Sequence, residues 1–443
     1  MTKSPSYRKI WNIAYPIILG SAIQNVIRIT DTAFLGRVGE TELGAAGIGS
    51  VFYMTFMMLG MGYGVGAQIM VARRYGQQRI SEIGKTVEHA FYFLFVFAII
   101  VIAGLNLSLS QIFSSVVSSE NIRIATLDFL YIRIWGLVFA FTNFTFRGFY
   151  IGIGQTKVIT ITTAMMALVN VFLDYVLIFG KAGFPEMGIK GAALASVIAE
   201  LVAMLTFIHY SLKRIDYKKF RLFTFQIFDR KLFGSVFNIS LPVMLQNFLS
   251  FAGWMFFFLF VEKLGERALA VSNIIRSIYV IMLVPIMGYS FAANSLVSYV
   301  IGTGKPGEAM KVTKKALKLC IGSVALMVTI IIIIPTQILS VFTDNQQLID
   351  ESIPVLYVIS GTSFLIGSGF VLFNTVSGTG NTKAAFFIES AVFVLYIFVT
   401  YYLAVILQTS IEMVWAVEFI YGGLIALISL LFLKYYPWQK KVV

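Results

Sequence analysis

Twelve apolar runs dominate the chain, near residues 10–34, 44–71, 88–109, 123–149, 157–180, 190–212, 233–260, 268–300, 312–340, 353–377, 383–407 and 411–435. Each matches or exceeds the roughly 20 residues that a helix needs to cross a bilayer. In hydrocarbon every backbone N–H and C=O must be satisfied within the protein, so isolated runs of this length become helices. Composition agrees: 58% of the 443 residues are apolar and 12% charged, against about 45–50% and about 25% in soluble domains. That balance argues against a soluble enzyme, a fibrous protein or a disordered chain. The predicted fold class is an all-α integral membrane protein of twelve transmembrane helices.

The short basic start of the chain leads into the first run without a small-residue cleavage site, so that run reads as an uncleaved span. Cys320 is the only cysteine, and His89 and His209 are the only histidines. They leave no disulfide and no zinc or haem spacing. Neither HExxH nor GxSxG occurs, and no filter-like loop appears, which argues against an enzyme and against a channel.

The net charge of +13 would suggest nucleic acid in a soluble protein, but its distribution explains it otherwise. The terminal segments and the loops after even-numbered runs carry 24 Lys/Arg, and the opposite loops carry six. Basic residues stay on the cytoplasmic side. The expectation is a multi-pass protein of the plasma or inner membrane with both termini cytoplasmic, no nucleic-acid partner, and a monomeric state.

Sliding the chain against itself by 226 positions superimposes Pro16 on Pro242, Gly39-Glu40 on Gly265-Glu266, and Met61-Gly62-Tyr63 on Met287-Gly288-Tyr289. It also places Gly76 on Gly302, Gly152 and Gly154 on Gly378 and Gly380, and Thr156-Lys157 on Thr382-Lys383. The chain is a duplicated six-span unit. Six spans return the chain to the same side, so two parallel six-helix bundles related by a pseudo-twofold along the membrane normal are expected. The expected divisions are an N-lobe over 1–212, a basic cytoplasmic linker over 213–232, and a C-lobe over 233–443. Two lobes and a seam form a transporter plan.

Charge within a span costs about 2.5–3.5 kcal/mol at the helix centre on insertion scales. Asp31, Asp174, Glu200, Glu389 and Glu418 nevertheless fall in spans, as do Arg28, Arg133 and Arg276. Asp128 and Glu88 lie near span ends, within reach of water. Gln24, Arg28 and Asp31 share one helix face, above Pro16, where a missing backbone bond permits a kink. Asn170 and Asp174 form a second polar face. If the faces meet, two carboxylates share a pocket that favours a proton or a monovalent cation. The alternative is a structural ion pair between Arg28 and Asp31. GIGQTK at 152–157 follows a span and reads as a cytoplasmic turn.

Several segments resemble the multidrug and toxic compound extrusion (MATE) transporters. They are YPIILG at 15–20, DTAFLGRVG at 31–39, GYGVGAQIMVARRYG at 62–76, GIGQTK at 152–157, NVFLDYVLIFG at 170–180 and GIKGAALAS at 188–196, with C-terminal copies at 287–302 and 378–383. The resemblance covers nearly the whole chain. It implies an exporter that exchanges drugs or other amphipathic, cationic organic compounds for H+ or Na+ by alternating access, with no other cofactor. The seventh and tenth spans lack acids, whereas Asp31, Asn170, Asp174 and Ser196 match the N-lobe cluster of the DinF-like branch. The resemblance therefore makes these four the coupling residues and a candidate Na+ site. Gln24 matches a further polar position, and Asn143, Arg28 and Pro16 are expected to line or support the cavity. Arg28 departs from the family pattern. The alternative reading is a flippase for lipids or lipid-linked substrates, from the same wider superfamily.

Overall fold

The computed structural model describes residues 5–440, and the regular structure of these residues is helical throughout. In chain order the helices are α1 (Tyr7–Val38), α2 (Glu40–Gly76), α3 (Ser81–Val116), α4 (Glu120–Arg133), α5 (Gly136–Gly152), α6 (Lys157–Ile178), α7 (Gly188–Arg214) and the short α8 (Tyr217–Phe220). They continue as α9 (Arg230–Glu262), α10 (Glu266–Gly302), α11 (Ala309–Ile333), α12 (Pro335–Ser340), α13 (Gln346–Gly378), α14 (Thr382–Tyr401), α15 (Ile411–Trp415) and α16 (Val417–Tyr435). Among the described residues eleven stretches are long and apolar enough to cross a membrane, and α4 with α5 supplies a twelfth as a pair bent by 50°.

Apolar side chains face outward in continuous helical stripes. On α14, Phe387, Val394 and Phe398 are 68%, 67% and 64% exposed, and their spacing of seven and four puts them on one helix face. A water-soluble monomer rarely exposes such a stripe; lipid is its natural neighbour. Asn170, Asp174, Glu200, Glu389 and Glu418 are buried instead. At 37 residues each, α2 and α10 span about 55 Å at 1.5 Å per residue, well beyond a hydrocarbon core of about 30 Å.

The run at 411–435 breaks at Ala416, between α15 and α16, and two other expected runs are interrupted, each for a local reason. The run at 123–149 breaks between Arg133 and Gly136. A Cβ on Gly136 would stand against the Arg133 and Glu200 head groups and 3.1 Å from the Tyr53 hydroxyl, so the break and the glycine together make room for those side chains. The run at 312–340 ends its main helix at Ile333, because Pro335 disfavours a helical conformation in the residue before it. Ile334 accordingly sits at φ −130°, ψ 51°.

The chain groups into two compact units. One holds Leu19–Tyr75 and Arg79–Met244; the other holds Met1–Ile18, Gly76–Gln78 and Leu245–Val443. The divisions fall inside α1 and α9, two residues after Pro16 and two residues after Pro242, at positions that correspond under the 226-residue repeat. Each proline removes one backbone hydrogen bond from a continuous helix, so each is a natural point for the helix to leave one packed body.

The basic linker groups with the first unit, and it is bound to α3. Glu88 is buried, contrary to the expectation that it reaches water. Its carboxylate accepts the backbone N–H groups of Thr224 (2.7 Å), Phe225 (3.1 Å) and Gln226 (2.8 Å). Left-handed backbone at Arg221, Phe223 and Phe225 turns these N–H groups together. His89 Nε2 accepts from the Asp229 N–H at 2.8 Å, and Lys85 Nζ pairs with Asp229 at 2.8 Å. The Lys85 hydrogen bond holds the Asp229 carboxyl down at about 2. A depressed carboxyl contributes stability above its unfolded value and loses it as pH falls through the folded one, so this contact persists throughout the neutral range. Glu88→Ala leaves three N–H groups without their acceptor, at about 1–3 kcal/mol for each one that stays dry. Limited proteolysis should then cut residues 221–229 much faster than in the native chain; an unchanged cleavage rate would contradict the clasp.

Candidate cation-coupling site

Close packing of α6 on α7 builds the floor of the site. The run Gly191, Ala192, Ala193, Ala195 keeps α7 thin. A Cβ on Gly191 would lie 2.7 Å from the Leu177 carbonyl carbon, so glycine permits the approach. Val176, Leu177 and Ala195 form the buried contact. One and two turns back along α6, Asp174 and Asn170 are 0% and 1% exposed, and Asn170 Nδ2 points to Ser196 Oγ on α7 at 3.5 Å.

Asp31 on α1 completes the group. Its carboxyl lies within hydrogen-bonding reach of the Asp174 carboxyl. Asp31 Oδ1, Asn170 Oδ1 and both Asp174 oxygens are buried and meet no donor. Two carboxylates cannot hydrogen-bond each other while both are ionised, and a proton placed between them supplies the missing donor. The same oxygens suit a monovalent cation, which needs lone pairs and no donor. Among the described residues no group of three or more His, Cys, Asp or Glu side chains is disposed to hold a metal ion, so a cation here would rest on the two aspartates with Asn170 and Ser196.

The remaining expected residues are placed as follows. Arg28 is exposed and its guanidinium hydrogen-bonds the Asn25 side-chain oxygen; among the described residues it forms no ion pair with Asp31. Gln24 is half-buried, one turn before Arg28. Asn143 on α5 donates to the Glu200 backbone carbonyl at 2.9 Å, and its own side-chain oxygen is buried without a donor. Pro16 is buried in the other compact unit.

Sequence reasoning missed a neighbouring network. Arg133, at the end of α4, grips Glu200 of α7 with two bonds of 3.0 and 2.6 Å. The Tyr53 hydroxyl on α2 donates to the same carboxylate at 3.3 Å, and the Arg133 guanidinium lies 3.9 Å from the Tyr53 ring centroid. Arg133 also acts electrostatically on Asp31 and Asp174. It is therefore a fixed positive charge, neutralised by Glu200, beside a carboxylate pair that lacks donors. The available signal was a lone arginine and a lone glutamate in different spans, which is costly unless they pair.

The MatE family profile matches residues 16–176 and 242–402. These are two segments of equal length, starting at Pro16 and Pro242, in the same register as the internal repeat. The chain belongs to the MatE family. As a MatE protein it is a multi-pass membrane transporter and not an enzyme. Among its relatives, the "Probable multidrug resistance protein NorM" of Thermotoga maritima is 24% identical over 383 residues, covering 85% of this chain and 81% of the relative. The "Probable multidrug resistance protein YoeA" of Bacillus subtilis is 22% identical, covering 86% and 84%. The fold is shared with a solved multidrug resistance MATE family transporter in an outward-facing conformation, with a TM-score of 0.89, 19% identity and coverage of 98% and 97%. It is also shared with a MOP superfamily transporter from Pyrococcus furiosus, described as having a binding pocket of reverse polarity, with a TM-score of 0.88, 18% identity and coverage of 98% and 97%.

Proposed function

We propose that this MatE protein is a multidrug efflux antiporter of the cell membrane, with both termini cytoplasmic, that exports amphipathic organic cations by alternating access in exchange for H+ or Na+. The observation that carries the reading is the pair of half-buried Asp31 and fully buried Asp174, with no donor for Asp31 Oδ1 or for either Asp174 oxygen. Repulsion between two such carboxylates is relieved by one proton or one monovalent cation. The pair then alternates between a loaded, neutralised state and an empty, mutually repelling state. Asp31 sits on α1 and Asp174 on α6, so loading draws α1 toward α6 and emptying releases it. An ion whose affinity differs between two conformations shifts their populations by that difference. The Arg133–Glu200 pair holds a constant field beside the site, so the mobile charge is the coupling ion. The N-lobe position of the acids supports the DinF-like reading, and the names of the relatives support the class of cargo.

The test is efflux of several fluorescent organic cations from proteoliposomes of purified protein, under an imposed pH gradient and then an imposed sodium gradient. The expected result is accelerated efflux with one of the two. Equal rates with and without both gradients would overturn the antiport reading.

A further inference from the structure

The second compact unit contains buried acids that the proposed coupling site does not use. Glu418 on α16 is 3% exposed and Glu389 on α14 is 1% exposed. The Tyr279 and Tyr396 hydroxyls donate to the two oxygens of Glu418 at 2.9 and 3.1 Å. Ser250 and Tyr421 both donate to Glu389 Oε1 at 2.8 Å. Glu389 Oε2 is buried and has no partner. The Tyr396 and Tyr421 rings meet with centroids 5.4 Å apart, which joins both carboxyl groups into one cluster.

No positive charge answers either acid. Among the described residues no ion pair includes Glu389 or Glu418. Helix α13, which packs against both α14 and α16, carries no lysine, arginine or histidine, and its acids Asp350 and Glu351 lie in its first turns, with Glu351 held by Arg267. The α10 arginine in this region, Arg276, is exposed and stacks 4.8 Å from the Phe258 ring centroid.

The internal repeat shows what has changed. Tyr53, which donates to Glu200 in the first unit, corresponds under the 226-residue offset to Tyr279, which donates to Glu418 in the second. Each glutamate lies on the last long helix of its unit. Arg133, the counter-charge of Glu200, corresponds to Ile359, which is fully buried. The second copy keeps the tyrosine, offers it a glutamate from a position that the offset does not superimpose on Glu200, and replaces the arginine with an aliphatic side chain. An ionised carboxylate with no cation is not sustained in a dry interior, so a bound proton or cation stands in for the missing charge.

We infer that Glu389 is a second proton-binding site, loaded and emptied at Oε2, with Ser250 and Tyr421 orienting its carboxyl and Glu418 as its buried companion. The inference deepens the coupling reading by giving each unit its own proton carrier. Its test needs no transport. Infrared difference spectra of the purified protein, recorded against pH in sodium-free buffer, read the carbonyl band of protonated carboxylic acids directly. The native protein should show a pH-dependent band that Glu389→Gln removes, that Glu389→Asp moves, and whose midpoint Tyr421→Phe displaces. Asp174→Asn should leave that band in place, so failure here is separable from failure of the Asp31–Asp174 reading. Three results would overturn the assignment. One is a Glu389 band that stays constant over the accessible pH range, which would mark a permanently neutral structural acid. Another is its complete absence. The third is a band that sodium abolishes at constant pH, which would assign the cluster to a metal cation. Matching amide bands and monodisperse elution establish that the variants are folded.

Discussion

Asp174→Asn is expected to abolish gradient-driven efflux while the protein still inserts and elutes as the native species. Asparagine keeps the shape and supplies an N–H donor to Asp31. It therefore satisfies the orphaned oxygen permanently and removes the need for an exchangeable ion. The site then has one state instead of two, and an ion with equal affinity for both conformations shifts nothing. A coupling free energy of about 2 kcal/mol is roughly a 30-fold linkage between ion and cargo affinity, and its loss leaves efflux at the undriven rate. Asp31→Asn should match it, and the double variant should be no worse, because residues acting as one unit are non-additive. Ser196→Ala should have a smaller effect, since Ser196 reaches the pair only through Asn170 at 3.5 Å. Initial rates in proteoliposomes under an imposed gradient decide the matter. Native-like rates in both single variants would remove the aspartate pair from the mechanism.

Arg133→Met is expected to be the most destabilising substitution in the first unit. It leaves Glu200, at 7% exposure, with the Tyr53 hydroxyl and no cation. Breaking one side of a buried ion pair costs about 3–5 kcal/mol. Arg133→Met combined with Glu200→Leu removes both charges and should recover most of that loss, since apolar replacement of a buried pair is often neutral or stabilising. Thermal unfolding in detergent measures both variants. If the double variant regains stability but transports poorly, Arg133 acts on the aspartates through its field. If it regains both, the pair is structural.

The membrane class, the duplication and the in-span acids were legible because each is a property of residue order. Twelve runs, a 226-residue offset and a carboxylate in hydrocarbon are visible without coordinates. Asp31, Asn170 and Asp174 could be chosen because polar residues on apolar helices point inward, whereas Ser196 joined them only through the family resemblance. Arg28 shows the limit of such reasoning. Its spacing from Asp31 suggested an ion pair, but its side chain turns to Asn25 instead, a choice made by rotamer and surroundings. Glu88 shows the same limit at a span end, where a carboxylate expected to meet water is buried under the linker it binds.

What the sequence by itself determined was which groups are expensive in a bilayer and that the six-span unit around them occurs twice. Hydrophobic transfer and backbone hydrogen bonding act along the chain and depend on composition over about 20 residues. Only the tertiary structure decided which expensive groups compensate one another. Arg133 meets Glu200 because α4 and α5 break at Gly136, and Asn170 meets Ser196 because Gly191 lets α6 and α7 close. Glu389 and Glu418 meet hydroxyl groups and no cation, and the second copy carries the buried Ile359 where the first carries Arg133. Such pairings depend on the rotation and depth of one helix against another. Those are set by packing between residues far apart in sequence.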